Sequence, residues 1–116
     1  MPLKQFLSTP LLVLFLWSYA GVANAAELLV VEQPNCPYCD RFHAEIAPAY
    51  PNTVEGRRAP LRIVQLGDPI ENIKPATVTP TFILVDNNQE VDRLVGYPGD
   101  DYFWFLIGEM LQKLPQ

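Results

Sequence analysis

The stretch "ELLVVEQPNCPYCDRFHAEI", residues 27–46, holds both cysteines of the 116-residue chain, and the rest is read outward from it. Leu28 to Val31 are apolar without a break and two of them are β-branched. That predicts a strand over Glu27–Glu32, buried on both faces of a covered sheet. "QPNC" then turns the chain. Beyond it Cys39, Phe42 and Ile46 recur at helical spacing, which predicts a single buried stripe. Pro37 suits the first helical position, where its missing N–H costs nothing. Cys36 and Cys39 therefore stand where a strand ends and a helix begins.

Downstream, Pro48 and Pro51 in "AEIAPAYPNT" (44–53) are expected to end this helix and route the chain to a second apolar strand, "PLRIVQL" (60–66). In "GDPIENIK" (67–74), Asp68 reads as an N-cap, Pro69 as the first turn and Glu71 as its capping partner, predicting a short helix. "TFILVD" (81–86) and "EVDRLVGY" (90–97) flank "NNQ" and predict a β-hairpin. In the last segment Asp100 and Asp101 favour a helix N-terminus. Phe103, Ile107, Met110 and Leu114 form its apolar stripe. Strand, crossover helix and strand imply a right-handed parallel unit, which the hairpin extends. The expected fold is α/β, a mixed four-stranded sheet with helices on its faces.

Residues 1–25 do not belong to that fold. Lys4 precedes the apolar run Leu11–Trp17, and Ala23-Asn24-Ala25 has the small-x-small form of a signal-peptidase site. The run is shorter than the roughly 18 to 20 residues of a membrane span. The expectation is a cleaved signal peptide, with an uncleaved anchor as its rival. One domain, residues 26–116, would remain. Of the charged residues cleavage removes Lys4 alone, leaving 7 basic against 13 acidic residues, a net charge of −6. Such a balance argues against nucleic-acid binding, which depends on basic surface. Export also places the cysteines where disulfides persist.

Three roles are open to the pair. A structural staple gains most from closing a long loop, and closure over two residues restrains little that a helix does not already restrain. A metal site would combine Cys36, Cys39 and His43 as C-x2-C-x3-H, yet a structural zinc site needs a fourth ligand and His43 is the chain's one histidine. Redox chemistry uses every feature. A thiol at a helix N-terminus is stabilised as thiolate by unpaired N–H groups and the helix dipole. That makes Cys36 the candidate nucleophile and Cys39, on the buried stripe, the resolving thiol. No cofactor is needed.

C-P-Y-C between a strand and a helix, followed by "VTPTF" (78–82) leading the third strand, resembles the thioredoxin superfamily. The likeness spans residues 27–114. "CPYCDRFHAEIAPAYPNTVEGRRAPLR" and "GYPGDDYFWFL" are similar to stretches of the small periplasmic thioredoxin-like proteins of bacterial sulfur-oxidation operons. The resemblance implies a thiol–disulfide oxidoreductase with Pro37 and Tyr38 inside its active-site motif. It further implies a cis Pro80 against the disulfide and Thr79 backbone groups that pair with an extended substrate. It also implies a reductant whose client is a protein with a reactive cysteine, a sulfur carrier, and whose electrons come from a membrane-bound thiol reductase. The expectation is a monomer.

Departures from the family pattern suggest alternatives. The buried acid that thioredoxins carry six residues before the first cysteine is Val30 here, which leaves Glu32 as the candidate for proton transfer. The first strand and helix of full-length thioredoxin are missing. C-P-Y-C is also the motif of glutaredoxins, and Gly99-Asp100-Asp101 is similar to their glutathione site. A glutathione-dependent reductase is therefore the rival enzyme, and a copper- or zinc-binding module the rival of another class.

Overall fold

The computed structural model describes residues 26–115; the expected leader over 1–25 lies outside them. Strand β1 spans Ala26–Glu32 and is followed by helix α1, Pro37–Glu45. A 3-10 turn at Tyr50–Asn52 and the short helix α2, Val54–Arg58, lead to β2, Leu61–Gln65. A long non-helical segment separates β2 from β3, Thr81–Asp86, which pairs with β4, Gln89–Val95. Helix α3, Asp100–Leu111, closes the domain.

The sheet order is β2-β1-β3-β4, with β1 parallel to β2 and antiparallel to β3. Side chains alternate between faces along a strand, and here each face has its own core. Leu28, Val30, Phe82 and Leu84 join Phe42, Ile46, Phe103, Ile107 and Met110 beneath the helices. Leu29, Val31, Ile83 and Val85 pack with Val64 and Ile73 on the other side. Both faces are covered, as the uninterrupted apolar run in β1 requires.

Two expectations are corrected. No helix forms over residues 67–74. The Asp68 carboxylate turns back to accept the Gln65 N–H at 3.2 Å instead of capping a new helix. Gly67 and Asn72 both hold positive φ, and with Pro69 and Pro75 they leave too few helical residues for even a short helix. The segment nonetheless does a helix's work, because Leu66, Ile70, Ile73 and Ala76 cover the second core. Conversely, the route from α1 to β2 contains α2. Thr53 Oγ1 caps it by accepting the Gly56 N–H at 2.9 Å.

The hairpin turns on two residues, Asn87 and Asn88, both left-handed (φ 50° and 62°). Asparagine tolerates that region, and a turn of this hand matches the twist of the strands. Gln89, expected in the loop, is the first residue of β4.

Candidate active site

Cys36 is the N-cap of α1 and Pro37 opens the helix. The pair is closed as a disulfide, with an S–S distance of 2.17 Å and Cα atoms 5.2 Å apart. The Cys39 N–H donates to Cys36 Sγ at 3.2 Å, so the first sulfur takes the place that a serine or aspartate oxygen takes in an ordinary cap. The two cysteines differ little in access. Cys36 is 6 % exposed and Cys39 4 %, so access does not distinguish the candidate nucleophile from the resolving thiol in this disulfide state. What separates them is bonding. Cys36 Sγ accepts the hydrogen bonds, and Cys39 lies along the buried face of the helix with Phe42.

A second lip meets the sulfur from across the fold. The Thr79 hydroxyl donates to Cys36 Sγ at 3.4 Å, over 43 residues of chain. Thr79 is half-buried, Pro80 is buried, and the bond between them is cis. The Pro80 carbonyl accepts the Gly96 N–H at 2.8 Å, fastening this lip to the end of β4. Thr79 was expected to act through its backbone; its side chain also reaches the sulfur. Gln33 was not singled out at all, yet its Nε2 donates to Thr79 Oγ1 at 2.8 Å. A polar side chain in the turn before the first cysteine is the one signal the sequence offers for it. Pro37 and Tyr38, the first two residues of α1 between the cysteines, are exposed, Tyr38 at 56 %.

Glu32, the last residue of β1, does not stand alone. Its Oε2 lies 2.5 Å from His43 Nε2. That contact also bears on the metal alternative, because the histidine needed by C-x2-C-x3-H is engaged by a carboxylate. Among the described residues no group of three or more histidine, cysteine or acidic side chains is placed to hold a metal ion. Gly99 caps α3, and Asp100 and Asp101 stand exposed in its first turn. Among the same residues, no helix is long and apolar enough to cross a membrane.

A strand that delivers a helix-capping cysteine, a second cysteine one turn on, and a hydroxyl facing the first sulfur make up a dithiol centre able to exchange with an outside disulfide. The comparisons agree. The family described as "Thioredoxin-like domain" matches residues 19–110. The reduced periplasmic thioredoxin SoxS from Paracoccus pantotrophus is similar at 46 % identity with a TM-score of 0.72, over 76 % of this chain and 97 % of that one. Thioredoxin from Fasciola hepatica (17 % identity, TM-score 0.56, 75 % and 82 % covered) and poplar thioredoxin h (23 %, 0.54, 78 % and 80 %) share the fold. No curated protein matches the chain.

Proposed function

This chain belongs to the thioredoxin-like family and is a thiol–disulfide oxidoreductase, and from that premise we propose that it works in the periplasm as the reductant of a client protein. Residues 1–25 serve as a signal peptide that delivers a single domain, 26–116. The similarity to a periplasmic thioredoxin supports that location.

The proposed reaction balances as follows. The Cys36 thiolate attacks one sulfur of a client disulfide, forming a mixed disulfide and releasing the other sulfur as thiolate. Cys39, deprotonated, then attacks Cys36 Sγ. The client leaves as a second thiolate, and Cys36–Cys39 closes to the disulfide seen here. Two electrons have passed to the client, and a membrane-bound thiol reductase restores the dithiol. Thr79 and Pro80 line up the client's extended segment, and the half-buried Glu32, paired with His43, accepts the proton of Cys39. By likeness the client is a sulfur-carrier protein whose cysteine must be returned to the free thiol.

The observation that carries this reading is the cap geometry, which puts one sulfur among N–H and O–H donors and leaves the other behind it. Its test is a trap. A Cys39→Ser variant expressed in its own cell should accumulate a covalent adduct that reductant dissolves, whereas Cys36→Ser should trap far less. Mass spectrometry then names the client, and an adduct of glutathione alone would favour the glutaredoxin-like alternative. If neither variant traps protein and the purified domain retains equimolar copper, the oxidoreductase proposal fails.

A further inference from the structure

We propose that Gln33 is a positioning residue for the exchange reaction. It holds the Thr79 hydroxyl so that its proton points at Cys36 Sγ. The inference rests on the assignment of Cys36 as nucleophile and deepens it.

The chain of contacts is short. Gln33 Nε2 donates to Thr79 Oγ1 at 2.8 Å, and Thr79 Oγ1 donates to Cys36 Sγ at 3.4 Å. A threonine hydroxyl has one proton and two lone pairs, and it turns about its C–O bond to suit its surroundings. Left alone in a half-buried loop, it has water or a nearby carbonyl as alternative acceptors. An amide N–H fixed on one lone pair removes that freedom, because the hydroxyl proton must then point away from the amide, and the sulfur lies on that side. Donors in series also polarise one another, so the second bond strengthens when the first is made.

The benefit depends on redox state. A disulfide sulfur is a weak acceptor, but a thiolate is charged, and hydrogen bonds to charged acceptors are about twice as strong as neutral ones. The Gln33–Thr79 pair therefore favours the Cys36 thiolate over both the thiol and the disulfide. It adds a side-chain donor to the helix N–H that already reaches this sulfur. Gln33 acts on the sulfur through the Thr79 hydroxyl, to which it is bonded. Glu32 at the end of β1, and Asp40 and His43 on α1, are titratable groups of the two elements that flank the cysteine pair, and they are unchanged in every variant below.

The test uses the reduced protein in four forms: wild type, Gln33→Leu, Thr79→Val and the double variant. Cys36 thiolate is followed by its ultraviolet absorbance against pH, and by alkylation with site identification. Gln33 is exposed, so its replacement should leave the fold intact, and thermal unfolding of each form checks this. Gln33→Leu should cut the thiolate fraction on the acid side of the transition about threefold to tenfold, the equivalent of part of one charge-assisted hydrogen bond. The same substitution in the Thr79→Val background should change nothing, because the hydroxyl through which it acts is gone. An equal drop in both backgrounds, or no drop in either, overturns the role of Gln33 and leaves the nucleophile assignment standing. Alkylation of Cys39 ahead of Cys36 in wild type overturns both.

Discussion

The phenol of Tyr97 donates a hydrogen bond to the carboxylate of Glu45, tying the chain just past β4 to the last residue of α1. Arg41 completes the cluster, 3.2 Å from Glu45 and with its guanidinium carbon 5.4 Å from the centre of the Tyr97 ring. The helix that carries both cysteines is thereby anchored at its far end.

This anchor should be visible in acid. The Tyr97 hydrogen bond, with help from Arg41, holds the Glu45 carboxyl below its ordinary range. Lys113 does the same for Asp92. A group depressed in the folded state is protonated first in the unfolded one. Its contribution is therefore complete above the ordinary carboxylate range, near pH 4, and is lost as pH falls through the depressed range. Urea unfolding across pH should show this acid limb, flatter in Glu45→Gln than in wild type. An identical limb in that variant would count against the anchor.

Gly56→Ala should destabilise the protein although alanine is the better helix former. A Cβ at position 56 would lie 1.8 Å from the Tyr50 carbonyl oxygen, which is backbone and has no rotamer to give. The Tyr50 hydroxyl is held by the Ala59 carbonyl at 2.7 Å, so the ring is fixed from its other end as well. Overpacking of this kind costs about 1–3 kcal/mol. Denaturant titration of the variant measures it, and a stability equal to wild type would show that the turn can open without penalty.

Pulse alkylation of the reduced protein near neutral pH should modify Cys36 before Cys39. Access does not decide this, since the two are almost equally covered. Activation does, because the helix N–H and the Thr79 hydroxyl both reach Cys36 Sγ. Peptide mapping of the labelled site reads the order.

Glu32→Gln should slow turnover by tenfold or more, on the scale of a lost proton acceptor. The loss should fall on resolution, so that mixed disulfide builds up during reaction. A variant that is less stable but resolves at the wild-type rate would reduce Glu32 to a strand-end partner of His43.

The sheet was legible because β1 and β3 are apolar at consecutive positions, a pattern that suits a strand covered on both sides. The CxxC placement was legible for the same reason: a change of period between Glu32 and Cys39 marks a strand-to-helix junction. Segment 66–80 misled because Asp68, Pro69 and Glu71 copy a helix start, whereas the left-handed Asn72 that prevents one leaves no period to read. The pairing of Gln33 with Thr79 spans 46 residues and depends on how two loops meet. Neither residue announces the other in the chain.

The sulfur at Cys36 is approached by two supports that are bonded into the fold differently. One is β1, bonded to a neighbour on each side and buried nearly throughout. The other is segment 66–80, pinned by contacts such as Ile73 N–H on the Ile70 carbonyl, Arg93 on the Lys74 carbonyl and Thr81 on the Val78 carbonyl. Local opening favours stretches with few such ties. A docking client would therefore meet one jaw where a strand bonded on both sides leads into the cysteine-capped helix, and one jaw, bearing Thr79, built on a segment with fewer backbone ties. Adjustment to clients of different shape would fall on the second jaw, while the attacking atom stays where the sheet puts it.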